Sequence, residues 1–427
     1  MNWLNYLYEL NVFASRPGLE RIQTLWEMLG KPGEKLKFIH VAGTNGKGSV
    51  CALLESIYRQ AGYRTGLFTS PHLISFGERF QINRIPLSEK KMEVILKKIK
   101  PYLEKFKIEN HPTFFEVITV IALLAFEEEN CDIVLWETGL GGRLDATNIV
   151  TPIASIITQI TLEHEQYLGS TLSKIAYEKA GIIKNRIPIL TAENKEEPLS
   201  VIAKIAAEKN AKLYTISEKT DLTCYESGLA GEYQKRNIAL AIATVKTLQP
   251  ILPTKDNNIS EGIKKASWEG RFQIIKRGTK TFVLDGAHNV GSFKCLLDSY
   301  KRKFSSKPLV IMGVLADKNW SEICKMMADL SQHFITVTVK TKRTLAEEDL
   351  AKEIRKHVTE KTLIETKTNL SDALDVVKEK TEEVILICGS LYLIGEALYL
   401  LKKSPADKMF EYRLNEWSPN SCSESKN

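Results

Sequence analysis

Apolar residues along the chain recur in two alternating rhythms. Short runs rich in Val, Ile, Leu and Phe are separated by longer stretches whose apolar residues return every three or four positions. The short runs fit buried strands, and the longer period fits helices with one packed face. In the first half, residues 37–41, 65–69, 132–136, 154–158 and 187–191 read as strands. Residues 49–61 read as a helix closed by Gly62, a natural residue just past a helix end. Residues 86–106 read as mostly helical, and 113–129 as another helix. The opening MNWLNYLYELNVF is amphipathic and reads as a helix; it has neither the basic start nor the apolar middle of a secretion signal.

The alternation restarts late, with strands expected at 281–284, 309–312, 335–339 and 384–387. Strands alternating with helices imply parallel sheets covered on both faces. The expected architecture is therefore α/β: a parallel-sheet domain over 1–265, of the P-loop ATPase kind by the glycine loop and lysine at 43–49, then a smaller Rossmann-like α/β domain over 266–417. A polar tail follows at 418–427. Active sites in such sheets lie outside the carboxyl ends of the strands.

Composition narrows the classes. The chain has 427 residues, 43% hydrophobic and 26% charged, which suits a globular protein of two or three domains. The net charge of +7 is dispersed, which favours anionic small molecules, and no RNA- or DNA-binding motif accompanies it, so no nucleic-acid partner is expected. No apolar run reaches about 18 residues, so no membrane span is expected. Seven scattered cysteines without CxxC spacing point to reduced thiols in a cytoplasm.

The first chemistry-bearing segment is HVAGTNGKGS at 40–49, which follows a strand and opens a helix. Glycines there let backbone N–H groups turn toward phosphate oxygens, and the helix N-terminus adds partial positive charge. Lys47 can reach terminal phosphates and the hydroxyl of Ser49 can ligate Mg²⁺. The loop departs from the common form in that Gly48 separates Lys47 from Ser49. Glu137 ends the apolar strand DIVLW, where a carboxylate beside a phosphate loop suits Mg²⁺. A lone carboxylate, histidine, Ser-Pro or lysine elsewhere would read first as a cap, a structural side chain, a turn or a solvated face.

Taken together, the segments resemble the folylpolyglutamate synthase/dihydrofolate synthase family of Mur-type ligases. The matching stretches are GTNGKGS (43–49), TSPHL (69–73), FGERFQIN (76–83), ETGLGGRLDATN (137–148), TLEHEQYLG (161–169), YEKAGII (177–183), YQKRN (233–237), GRFQ (270–273), DGAHN (285–289) and GSLY (389–392). They fall in the family's order, from RPGLERI (16–22) to about Gly395. Thr138 stands where the family has Val, and Glu163 where it has Asp.

The resemblance implies an ATP-dependent ligase that joins L-glutamate to a folate or to dihydropteroate through an acyl phosphate, acting as a monomer. It implies ATP contacts from Thr44, Asn45, Gly46, Lys47, Gly48 and Ser49, with Gln234 and Asn237 near the base and Arg271 and Asp285 reaching in from the second domain. It implies Ser49, Ser70, Glu137 and His164 as ligands for two Mg²⁺ ions, and a carbamylated Lys179. Lys47, Lys179 and His288 would be catalytic. Pro71, His72 and Arg79 would shape the pterin pocket, and Ser390 and Tyr392 the amino-acid site.

Three other readings compete. A Mur-type ligase acting on UDP-muramoyl peptides carries a UDP-sugar domain, for which the 42 residues before Gly43 leave no room. Another P-loop ATP-binding protein would not explain DGAHN or GRFQ. A non-catalytic nucleotide binder would have lost Lys47, Glu137 or His164. Whether the chain serves dihydropteroate, folates or both stays open at this level.

Overall fold

The computed structural model describes residues 3–10, 18–217 and 220–402. The tail at 418–427, Cys422, and Arg16 and Pro17 of the RPGLERI stretch lie outside the described residues.

Two sheets organise the chain. The first holds β1 (Phe38–Ala42), β2 (Thr65–Phe68), β3 (Phe80–Ile82), β4 (Ile85–Pro86), β5 (Ile133–Glu137), β6 (Ala154–Ile157), β7 (Ile189–Thr191) and β8 (Leu213–Thr215), in the order β4-β3-β2-β5-β1-β6-β7-β8. From β2 to β8 the pairings are parallel, and β3 and β4 add an antiparallel edge. The second sheet holds β9 (Gln273–Arg277), β10 (Lys280–Asp285), β11 (Leu309–Met312), β12 (His333–Val337), β13 (Leu363–Lys367) and β14 (Val384–Cys388). Its order is β13-β12-β11-β14-β10-β9, parallel except at β9.

The central strands are buried along their whole length because each serves two cores. Alternate side chains of a strand point to opposite faces. Phe38, Val134 and Trp136 therefore join the core under the helix Phe114–Glu128. Ile39, Val41, Ile133 and Leu135 join the core under the helices Lys47–Gln60 and Gln234–Thr247. The second sheet divides likewise, with Val283 on one face and Phe282 and Leu284 on the other.

Two sequence expectations need correction. Pro86 belongs to β4, not to a helix; the helix is Glu89–Leu103, capped by Ser88, whose Oγ accepts the Lys91 N–H at 3.3 Å. Asn83 and Arg84, both at positive φ (49° and 72°), make the two-residue turn between β3 and β4. The strands β3, β4, β8, β9 and β13, at or next to the sheet edges, escaped the pattern reading. They are short or half solvated, so they lack the continuous apolar runs that mark buried strands. Gly62 does take positive φ (92°) just past the helix Lys47–Gln60. Among the described residues no helix is long and apolar enough to cross a membrane.

Candidate active site

The loops after β1, β2, β5 and β6 of the first sheet face those after β10, β11, β12 and β14 of the second. Between them lies a cavity of about 1430 Å³.

The loop after β1 is shaped by close backbone approach. Gly43 has φ of 146°, and a β-carbon there would lie 1.8 Å from Thr158 Oγ1. Thr44 is tied to the loop after β6: its N–H donates to the Gln159 carbonyl at 2.8 Å, and its hydroxyl accepts the Thr161 N–H at 3.1 Å. Gly46 (φ 96°) precedes the helix Lys47–Gln60. Residues 44–49 all line the cavity, so the helix opens directly onto it. Lys47 folds back over its own loop, donating to the Gly43 carbonyl at 3.1 Å.

Glu137 ends β5, is almost completely buried, and accepts the Ser70 N–H at 3.2 Å. Burial pushes its carboxyl pKa up, opposed by the neighbouring Lys47. A buried carboxylate of this kind favours a cation beside it. Ser49, Ser70, Glu137 and His164 line the same cavity. Among the described residues no three His, Cys, Asp or Glu side chains converge as a ready-made cage. This donor set fits Mg²⁺, which takes one or two protein carboxylates and completes its shell with water and phosphate oxygens.

The GLGGRLDATN loop is built around two docking contacts. Buried Asp145 accepts the N–H groups of Leu140 (2.8 Å) and Thr147 (3.0 Å). Arg143 pairs with Glu178 at 2.9 Å, and its N–H donates to the Glu178 carbonyl at 2.7 Å. This holds the loop on the helix Leu172–Ala180, which carries Lys179. Lys179 is only 4% exposed, and its ammonium donates to the Gly43 carbonyl at 2.8 Å. Burial, with Lys47 nearby, lowers its pKa to about 7.

Across the cavity, Asp285 is buried, accepting the Tyr233 hydroxyl at 3.0 Å and the backbone N–H groups of Phe272 and Ala287, each at 2.8 Å. Burial raises its carboxyl, opposed by Arg271. A β-carbon at Gly286 would lie 2.4 Å from Arg271 Nη1, so the DGAHN glycine makes room for that guanidinium. His288 Nδ1 donates to the Gly286 carbonyl at 2.7 Å, and its Nε2 lies 3.1 Å from Glu163. Asn45 and Asn289 also meet between the two sheets, with Asn289 Nδ2 donating to Asn45 Oδ1 at 3.2 Å. Ser390 and Tyr392 line the wall after β14, and the Ser390 hydroxyl accepts the Tyr392 N–H at 3.1 Å.

Not every expected residue faces the cavity. His72 and Arg79 are buried against each other, with Arg79 Nε donating to His72 Nδ1 at 2.9 Å. The Arg79 guanidinium also sits over the Phe76 and Phe114 rings, at 5.5 and 5.7 Å. The pair holds the loop after β2 from behind, while Ser70 and Pro71 line the cavity. Gln234 and Asn237 buttress the phosphate loop: Gln234 Nε2 donates to Ser49 Oγ at 3.2 Å, and Asn237 Nδ2 donates to Gln234 Oε1 at 2.8 Å. Asn237 also lines the cavity.

Two cavity residues escaped the sequence reading. Lys318 lies 3.4 Å from Glu163, and Arg343 pairs with Asp317. Lys318 follows β11 and Arg343 follows β12, so the carboxyl-end rule applied to these strands marks both. Glu163 gathers His288, Lys318 and, at 4.0 Å, His164. Burial alone would raise its carboxyl, but His288, Lys318 and His164 hold it well below the usual range.

A phosphate loop facing a second α/β sheet across one cleft defines an ATP-dependent ligase of the Mur type. The Mur ligase middle domain matches residues 41–248, and the Mur ligase glutamate ligase domain matches residues 270–391. The chain is 35% identical over 422 residues to the dihydrofolate synthase/folylpolyglutamate synthase of Bacillus subtilis, spanning 91% of this chain and 96% of that one. It superposes on the folylpolyglutamate synthase of Thermotoga maritima with a TM-score of 0.81 and 35% identity, covering 94% and 96% of the two chains. It is also similar to the bifunctional folylpolyglutamate synthase/dihydrofolate synthase of Yersinia pestis complexed with AMPPNP and Mn ion, with a TM-score of 0.83, 29% identity, and coverage of 94% and 97%. The chain belongs to the folylpolyglutamate synthase/dihydrofolate synthase family.

Proposed function

We propose that this chain uses ATP to join L-glutamate to the carboxylate of a folate and of dihydropteroate. In this reading the substrate carboxylate attacks the γ-phosphorus of ATP, ADP leaves, and an acyl phosphate remains. The amine of L-glutamate then attacks the acyl carbon and expels inorganic phosphate, leaving an amide. The observation that carries the reading is the cleft itself, which sets Lys47 and Glu137 of one sheet opposite Arg271 and His288 of the other.

Each side chain has a physical task. Lys47 and Arg271 neutralise charge on the phosphoryl oxygens, and Arg271 does so from the second unit, so closure completes the site. Thr44, Asn45, Gly46, Gly48 and Ser49 cradle the phosphates. Asp285 organises the turn that carries His288, which faces the incoming glutamate with Ser390 and Tyr392. Ser49, Ser70, Glu137 and His164 would hold up to two Mg²⁺ ions, which would screen phosphate charge. A Lys179 amine that is partly neutral near pH 7 can add CO₂, and the resulting carbamate would supply a further anionic oxygen pair at Gly43. The ATP-binding unit takes residues 1–265 and the glutamate-accepting unit 266–417. The free cysteines of the described residues suit a reducing compartment such as the cytoplasm.

The test is phosphate release with ATP, Mg²⁺ and L-glutamate, comparing dihydropteroate, tetrahydrofolate and a UDP-muramoyl peptide. Release with both pterins is expected. Release with the muramoyl acceptor alone overturns the folate reading. Lys47→Ala should cut kcat by roughly 10²- to 10³-fold, as loss of a transition-state charge partner does; full turnover in that variant sinks the mechanism.

A further inference from the structure

The linker between the two sheets passes from one core to the other within a few residues. Trp268 packs against the core of the first sheet, whereas Phe272 belongs to the core of the second. The indole lies directly on the phosphate loop: a β-carbon at Gly48 would stand 2.8 Å from the ring atom Cζ2 and 2.9 Å from Cε2 and Nε1. Gly48 is the extra residue between Lys47 and Ser49, and this contact gives it a reason. No other residue leaves room for the ring at the first turn of the helix.

The indole has a second contact on the first sheet. The Arg84 guanidinium, at the β3–β4 turn, lies 5.0 Å from the ring centroid and also donates to the Ser267 carbonyl. The linker is thus held at 267–268 by the phosphate loop and by the edge of the first sheet. From residue 270 it is fixed to the second sheet. The Gly286 N–H donates to the Gly270 carbonyl at 2.8 Å, and Asp285 accepts the Phe272 N–H. Gly270 and Phe272 both have positive φ (67° and 47°), so the chain bends sharply on either side of Arg271. The joint between the two anchored pieces is the step from Trp268 to Gly270.

We infer that Trp268 is a positioning residue: pinned on Gly48, it is the fixed end of the interdomain joint and sets where Arg271, three residues later, stands relative to Lys47. A shift of the phosphate loop on binding ATP moves Gly48, hence the indole, hence the guanidinium. The inference rests on the assignment of Arg271 to the ATP phosphates.

The experiment compares Trp268→Ala, Trp268→Phe, Arg271→Lys and the double variant Trp268→Ala/Arg271→Lys in the full chain. The readouts are kcat at saturating substrates and AMPPNP affinity by calorimetry. Trp268→Ala should lower kcat by roughly 10- to 100-fold, the scale of an ångström-sized misplacement, with AMPPNP affinity changed less than about threefold. Trp268→Phe, which keeps a flat ring on Gly48, should recover most of kcat. In the Arg271→Lys background the tryptophan truncation should cost far less than in the parent, because both changes act through one group. Equal losses in both backgrounds, or lost AMPPNP affinity at unchanged kcat, overturn the inference. A slowed Arg271→Lys with an unaffected Trp268→Ala sinks the role of Trp268 alone. An unaffected Arg271→Lys sinks the assignment of Arg271 and the route through it.

Discussion

The ammonium of Lys179 donates to the carbonyl of Gly43 at 2.8 Å, across 136 residues of sequence, and ties the helix after the GLGGR loop to the phosphate loop. The lysine is buried there with Lys47 nearby, and its pKa falls to about 7.

Activity is therefore expected to depend on bicarbonate, and increasingly so as pH rises through about 7, where the amine becomes neutral and able to add CO₂. Turnover measured with and without bicarbonate between pH 6 and about 8.5 checks this; indifference at every pH removes the carbamate. The stability sign follows from the same shift. The folded-state pKa lies below the unfolded value of 10.5, so folding releases a proton between the two. The cost of burying the charge is full below about pH 7 and fades toward 10.5. Lys179→Met should accordingly gain most in urea midpoint over the parent at the acid end of that window, in CO₂-free buffer.

Glu137→Gln keeps the shape of a buried side chain and removes its charge. Because burial already disfavours the carboxylate, stability should hold or rise slightly. The Mg²⁺ concentration for half-maximal turnover should rise by about tenfold or more. Mg²⁺ titration of activity beside a thermal melt separates the two effects, and an unchanged Mg²⁺ requirement would remove Glu137 from the metal site.

Gly43→Ala places a methyl 1.8 Å from Thr158 Oγ1 and forces a side chain onto φ of 146°. A loss of about 2 kcal/mol or more is expected. Thr158→Ala in the same chain should restore only part of it, since the backbone strain remains. Full rescue in denaturant melts would show that the contact, not the dihedral, governs the site.

Arg79→Ala should act first on folding. The guanidinium is fully buried, bonded to His72 and seated on two aromatic rings. Truncation is expected to cost roughly 3 kcal/mol or more, from the cavity left between the rings and the buried His72 Nδ1 left without its donor. A variant with unchanged stability and a raised KM for the pterin substrate would return Arg79 to the cavity.

Much of the site was legible because its parts are local. Strand, glycine loop and helix follow one another at 38–60, and Glu137 ends a run of apolar residues, so position along the chain implies position in the sheet. The resemblance supplied His164, Arg271, Asp285 and His288, and the structure brings all four to one cavity. The resemblance also supplied Arg79 and His72 as pocket residues, on the strength of their motifs alone. Burial against Phe114 depends on an element distant in sequence and leaves no mark in the local pattern.

The sequence by itself determined the two α/β units, the phosphate loop and the family, because side-chain periodicity and loop chemistry are properties of contiguous residues. Tertiary structure alone decided that Glu163 meets His288 and Lys318, that Gln234 braces Ser49, and that Trp268 lies on Gly48. Each of these pairs joins segments at least 125 residues apart, the shortest separation being that of Glu163 and His288. Such pairs are set by how helices and linkers pack on the sheets, and packing depends on the shape of all the elements together.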